Sequence, residues 1–387
     1  MGYVAVKGGT QAIEESIKRL KYERLKKGLV LDCPKIESGL RCLIDQVMSE
    51  SSLYSEALAA MSIKQAEGSP EEAVFLLRAY RSTLPRKHYS RTVHSEDMVV
   101  ERRISASFKE IPGGQILGAA YDYTHRLIDF ELIEETDEDA INWVREFNKE
   151  SEVSCETIDL ANLPKVLDYL REEGLIAACA NDDREPDDVT KESVQFPTSR
   201  SERLQILTSG QTGAVTSLGY AALRSFGALH PNVGELRIGN LPLYVDNPFN
   251  EQNENKEVEG DDEFKDERED KDAYYIGEIK VTEVETLFPT SVRKENGQRV
   301  IEFGLGYGIC YGQNETKAIA MSILDHCLEI GGSEYPTHNE EFVLMQIDSV
   351  ESTGFISHLK LPHYVTFQSE LDSVRKSRKE GSKINEH

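Results

Sequence analysis

The segment Tyr121-Asp122-Tyr123-Thr124-His125-Arg126 places a carboxylate, an imidazole, a guanidinium and two phenols within six residues. A histidine held by a carboxylate is a usable acid–base group near neutral pH. Asp129 lies seven residues beyond Asp122, so the two share one side if the stretch is helical. As a strand it would set Tyr121, Tyr123 and His125 opposite Asp122, Thr124 and Arg126. The competing reading is a buried Asp–His or Asp–Arg structural pair.

Three further groups stand out. Arg102, Arg103 and Lys109 form one basic set, and Arg200 and Arg203, with Arg224, another. Guanidinium forks suit phosphate oxygens, and they suit this chain's own carboxylates equally. Gly304, Gly306, Gly308 and Gly312 are expected to form a turn between a strand and a helix, the context of a phosphate cradle. A dinucleotide fingerprint starting at Gly304 needs glycine at 309, where Ile309 stands, and there is no P-loop lysine, so a structural turn competes with an anion-binding nest. His358 and His363, in SHLKLPHYVTF, are the strongest metal candidates. Two imidazoles fall short of the four ligands of a structural zinc, so the rest would come from elsewhere in the fold, from substrate or from another chain.

The elements that must carry these groups read as follows. The first 85 residues are expected to be helical, with Ser69-Pro70-Glu71-Glu72 as the clearest start signal: serine caps, proline fits the first turn, and Glu72 can reach back. Residues 86–98 read as a loop. Residues 99–133 weave acids, arginines and the Pro112-Gly113-Gly114 turn into apolar sequence, which implies polar groups paired in a core or aimed at a ligand. Residues 134–160 are acidic and less regular. Helices are expected near 163–170, ending at Gly174, and over 199–208, 214–226 and 316–329. Strands are expected after Pro231, with a proline turn inside, at 274–288, and in QRVIEF and EFVLMQIDSV. Between Glu251 and Asp272, 12 acids stand against four bases, which reads as a solvated, disordered insertion. The fold class is α+β. The expected divisions are a helical region to 98, a central α+β region over 99–246, the insertion at 247–273, a second α+β region over 274–370, and a polar tail.

The 387-residue chain carries 44 basic against 69 acidic residues, a formal net charge of −25. Bulk attraction to nucleic acid or to an anionic membrane surface is therefore excluded as a default, and a small anionic substrate needs a local basic pocket. No run approaches the roughly 18 apolar residues of a spanning helix. Six cysteines without a Cys-x-x-Cys pair, and an opening without an apolar signal run, lead to an expectation of a reduced, cytoplasmic protein.

The runs VERRISASFKEIPGGQILGAAYDYTHRLIDFEL, FPTSRSERLQIL, GYGICYG with ETKAIAM, and EEFVL with GFISHLKLPHYVTFQSEL closely resemble the PhnI family of the bacterial carbon–phosphorus lyase core complex. The likeness extends from the opening residues to about Glu370. It implies a subunit acting at the ribose anomeric carbon, where ATP and an alkylphosphonate give adenine and α-D-ribose 1-methylphosphonate 5-triphosphate. Alone, such a subunit looks like a nucleosidase that releases ribose 5-triphosphate. It implies the partners PhnG, PhnH and PhnJ, with PhnK and PhnL associated, Mg²⁺ on the triphosphate, and no iron–sulfur cluster in this chain. It further implies that His358 and His363 are zinc ligands at a junction with PhnJ.

Glycosyl transfer asks for a carboxylate near an oxocarbenium-like carbon, a proton for the departing base, and cations or backbone N–H groups for the phosphates. The matching candidates are Asp122 or Asp129, then His125, then Arg102, Arg103, Lys109, Arg200 or Arg203, with backbone donors at Gly113-Gly114 and Gly304–Gly308. The chain departs from the family pattern at Leu305 and Thr316, where basic residues are usual, and at Arg224-Ser225-Phe226-Gly227. A lost phosphate contact costs about 1.5–3 kcal/mol. A non-catalytic scaffold subunit is the alternative reading.

Overall fold

The computed structural model describes residues 9–111, 113–153, 163–176, 185–224, 230–247, 272–293, 299–361 and 364–384. The helices in chain order are α1 (Gly9–Leu25), α2 (Cys33–Gly39), α3 (Arg41–Ser51), α4 (Glu56–Gln65), α5 (Pro70–Arg81), α6 (Asp137–Val153), α7 (Val166–Glu172), α8 (Arg200–Ser209), α9 (Thr212–Arg224), α10 (Glu315–Ile330), α11 (Glu340–Gln346), α12 (Ser349–His358) and α13 (Tyr364–Ile384). The strands are β1 (Val99–Ile104), β2 (Asn232–Asp246), β3 (Ala273–Arg293) and β4 (Arg299–Tyr311). The class is α+β, and the chain forms two compact units, residues 1–82 with 345–387, and residues 83–344.

The first unit is helical. Ile36, Ile44, Val47, Met48, Ile63, Val74 and Leu77 interlock from α2 to α5, with Val350 of α12 against them. Ser69 caps α5 by accepting from the Glu72 N–H at 3.4 Å. The reciprocal half of the cap is missing, because the Ser69 N–H donates to the Ala66 carbonyl. The two-sided capping box occurs in the second unit, between Ser199 and Glu202 at the start of α8.

The second unit is built on a four-stranded antiparallel sheet in the order β1-β2-β3-β4. Its two faces differ in chemistry. One carries Leu236, Ile238, Val284 and Phe288 with the β4 glycines, and α10 lies across it. The other carries Glu235, Arg237, Glu283, Glu285 and Tyr307, flanked by two apolar clusters. One cluster joins Met98, Val100, Leu241 and Val281. The other joins Leu167 and Leu170 of α7 to Ile176 and Leu287, with Phe303 and Leu305 beside them. The strip of charge is thus walled by hydrocarbon on both sides.

Several expectations are corrected. Residues 137–153 are helical, because Thr136 and Asp139 cap each other's N–H groups at 3.2 and 3.0 Å. The proline turn after Pro231 is absent: β2 runs through Pro242, which pairs with Glu278. EFVLMQIDSV forms α11 and the start of α12, with Asp348 capping the Val350 and Glu351 N–H groups. Gly174 ends α7 at φ +71°, as its position after the apolar run predicts. The insertion falls almost wholly outside the described residues.

Candidate functional site

β1 delivers two adjacent arginines to different surroundings. Arg102 is buried beneath the Tyr121–Tyr123 turn. Its guanidinium donates to the Asp122 carboxylate at 2.7 Å, to the Glu315 carboxylate at 3.2 Å and to the Leu117 carbonyl, and its Nε lies 3.1 Å from the other Glu315 oxygen as an ion pair. The Tyr123 ring centre lies 6.0 Å away. Burial opposes the Arg102 charge, but the Glu315 bond and charge and the Asp122 charge outweigh it and push the pKa above the ordinary arginine value. Asp122 is half exposed and also lies 3.5 Å from Arg126, whose backbone is left-handed at φ +55°. The turn is pinned again where Gln313 bonds the Ala119 carbonyl at 2.8 Å. Asp122, Arg102, Tyr123 and Arg126 therefore form one cluster with an open side.

His125 and Asp129 are exposed, and among the described residues no hydrogen bond joins His125 to either aspartate. Asp129 caps the following turn through the Glu131 N–H at 3.0 Å. Lys109 is exposed.

Arg103 does not face a ligand. It is sealed in the interior on Glu235 at 2.7 Å and on the Pro164 carbonyl at 2.8 Å. Arg200 holds Asp325 at 2.8 Å, while the other side of that carboxylate oxygen receives the Tyr307 N–H at 2.9 Å. Arg203 holds Glu329 at 2.6 Å. Gly113 and Gly114 do form a turn with positive φ. A side chain at Gly113 would meet Arg103 at 2.9 Å and Leu163 at 2.8 Å, so the turn packs over Arg103.

The glycine run is a strand, which removes the expected cradle. Gly304, Gly306 and Gly308 lie within β4 opposite Phe288, Thr286 and Val284. A Cβ at Gly306 would stand 1.9 Å from the Ser322 carbonyl oxygen, and one at Gly308 2.1 Å from that of Ala318. At Gly304 it would stand 2.6 Å from the His326 ring. Positions 318, 322 and 326 advance about 6 Å per step along the helix, and 308, 306 and 304 about 6.8 Å per step along the strand. The glycines let α10 touch the sheet backbone. Leu305 packs against the Leu167–Leu287 apolar cluster.

Sequence reasoning missed the carboxylates that complete these pairs. Glu283 accepts from Arg237 at 2.5 and 3.1 Å, from Lys165 at 3.2 Å and from the Tyr307 hydroxyl at 3.0 Å. Burial opposes its charge, yet Arg237 and Lys165 hold it below the ordinary glutamate value. Glu235 goes the other way: burial outweighs Arg237 and Arg103 and raises its pKa. The available signal was charge at every second position, Glu235-x-Arg237 and Glu283-x-Glu285, which marks one face of a strand.

His358 ends α12, and its Nδ1 donates to the Phe355 carbonyl. His363 lies outside the described residues. Among the described residues no group of three histidine, cysteine or acidic side chains is placed to hold a metal.

A sequence model of the family described as "Bacterial phosphonate metabolism protein (PhnI)" matches residues 2–381. The chain belongs to the PhnI family. This PhnI-family chain is 38% identical over 393 residues to the alpha-D-ribose 1-methylphosphonate 5-triphosphate synthase subunit PhnI of Rhizobium meliloti (strain 1021), covering 98% of this chain and 95% of the relative. It is 37% identical over 388 residues to the subunit of the same name from Escherichia coli (strain K12), covering 98% and 99%. It is 39% identical over 382 residues to a protein of Stutzerimonas stutzeri provisionally named C-P lyase subunit protein HtxH, covering 97% and 95%. No described helix is long and apolar enough to cross a membrane.

Proposed function

We propose that the chain is the glycosyl-transferring subunit of a C–P lyase assembly, forming α-D-ribose 1-methylphosphonate 5-triphosphate from ATP and methylphosphonate. The observation that carries this reading is the similarity of 37–38% over 98% of the chain to two PhnI synthase subunits. In the reaction a phosphonate oxygen bonds to C1′ as the C1′–N9 bond breaks. The bonding pair leaves with adenine, which takes up a proton. Alone, the chain would act as a nucleosidase, with water in place of the phosphonate.

The Asp122 cluster fits the first requirement. A carboxylate paired with Arg102 and Arg126 supports positive charge growing at C1′. Arg126 and Lys109 are exposed cations for triphosphate oxygens, whose Mg²⁺ would arrive with the nucleotide, and His125 would donate the proton to adenine. His358 and His363 would supply two ligands to a zinc ion completed by another subunit, PhnJ in our reading; bound there, zinc would staple the two chains. Among the described residues Cys33, Cys42, Cys310 and Cys327 form no disulfide, which accords with a cytoplasmic assembly.

One observation favours a non-catalytic scaffold: Arg102, Arg103, Arg200 and Arg203 each hold a carboxylate of this chain. A single assay separates the readings. The purified chain, and the chain assembled with PhnG, PhnH, PhnJ and PhnL, are given Mg-ATP with and without methylphosphonate. Adenine release is followed by chromatography and the sugar product by phosphorus NMR. Release of adenine, with the phosphonate adduct only in the assembly, supports the synthase. A correctly assembled complex that releases none overturns it in favour of the scaffold.

A further inference from the structure

Between the pinned turn at Ala119–Asp122 and the end of α6, the second unit presents apolar side chains to solvent. Leu127, Ile128 and Ile133 are each about four-fifths exposed, at 82, 79 and 81%. In α6, Ala140, Trp143, Val144 and Phe147 repeat at i, i+3, i+4 and i+7, the spacing of a face made to be buried. All four are exposed, and Trp143 stacks on Phe147 with ring centres 5.3 Å apart. A lone helix of this length is marginal in water, and its stability normally comes from burying such a face. The root of the segment is fixed by Arg102–Asp122 and Gln313–Ala119.

Charge decides what covers it. Residues 129–150 hold nine acids and two bases, and three of the acids crowd the first turn of α6. A second copy would bring the same acids, within a chain of net charge −25. Like charges set against each other at an interface suppress pairing.

We propose that residues 123–150 form a docking arm whose occupant is a different subunit of the C–P lyase assembly, one that presents an apolar groove rimmed by lysine and arginine. This rests on the assembly membership proposed above. The Trp143–Phe147 stack is the anchor, as large aromatic side chains seated in a desolvated pocket carry most of the energy of an interface. The acids of α6 set orientation and speed association, and make it salt-sensitive.

Trp143 is the chain's single tryptophan, which supplies a probe. The full-length chain is labelled with 5-fluorotryptophan and followed by ¹⁹F NMR, with and without the other purified subunits, while size-exclusion chromatography reports assembly. The expected result is a solvent-exposed signal in the isolated chain, independent of concentration, that shifts and becomes shielded in the assembly. Val144→Glu with Phe147→Glu, and separately Glu146→Lys with Glu150→Lys, are expected to weaken association at least tenfold with unchanged circular dichroism. A signal that moves with concentration in the isolated chain makes a second copy the occupant and overturns the proposal. A shielded signal in the isolated monomer does the same in favour of an intramolecular cover. Assembly with an unmoved signal overturns the arm alone, whereas no assembly overturns both the arm and the membership.

Discussion

The Arg103 guanidinium and the Glu235 carboxylate meet at 2.7 Å from neighbouring strands, and both are sealed from solvent. Glu235 also accepts from the Val166 N–H at 2.9 Å, so one carboxylate fastens β1, β2 and the start of α7. Removing one member of a buried pair strands the other, at a cost of about 3–5 kcal/mol. Glu235→Ala is expected to lower the unfolding free energy of the chain by that amount in a urea titration. A loss below about 1 kcal/mol, the level of an exposed pair, would show that the pair contributes little.

Gly306 makes a second prediction. A methyl group there meets the Ser322 carbonyl, a backbone atom that cannot swing aside. Gly306→Ala is expected to push α10 off the sheet and cost about 1–3 kcal/mol or more, the scale of core overpacking. Gly114→Ala meets nothing within 4 Å but stands at φ +73°, so it tests backbone strain alone, on the order of 1 kcal/mol. Calorimetric melting of both variants checks the contrast, and equal losses would remove close packing as the reason for glycine at 306.

His326 contributes to acid stability. Burial holds its pKa below the ordinary 6.5; the Leu305 carbonyl and the Asp325 and Glu329 charges favour the proton, and His338 opposes it. Its ring stacks on Phe288 with centres 3.9 Å apart. As pH falls below 6.5 the unfolded chain takes up this proton first. The stability tied to the neutral ring is therefore complete above 6.5 and lost as pH falls through the lower folded value. His326→Phe is expected to flatten this part of the acid limb when urea unfolding is repeated from pH 7.5 to 5. An unchanged slope would assign that limb to other groups.

At the candidate site, Asp122→Asn keeps the shape of the turn and removes the charge facing Arg102 and Arg126. Adenine release by the assembled complex is expected to fall by about 10²–10³-fold, with assembly unchanged. Turnover equal to wild type would remove Asp122 from the chemistry.

Local signals made the elements legible. Ser69-Pro70 begins α5, Gly174 closes α7, and Gly331 follows α10, because caps and stops are written in adjacent residues. The glycines of β4 suggest a turn by type, although their alternation with Leu305, Tyr307 and Ile309 carries the period of a strand. EFVLMQIDSV is ambiguous by type because a short apolar run fits helix and strand alike; Val343, Leu344 and Ile347 are buried at helical spacing. The site was legible only in part. Asp122, Tyr123 and Arg126 are neighbours in sequence, whereas Glu315 reaches Arg102 from 213 residues away. Pairings of that span depend on the sheet, and no spacing along the chain announces them.

The β2–β3 junction has its own consequence. Asp246 and Ala273 already face each other as sheet partners, and the Asn247 N–H donates to the Asp272 carbonyl at 2.8 Å. To the sheet, the two strands are a hairpin, whatever number of residues passes between those ends. The acidic stretch is thus a cargo point: an engineer can rewrite its length and composition while the paired ends keep the strands in the same register.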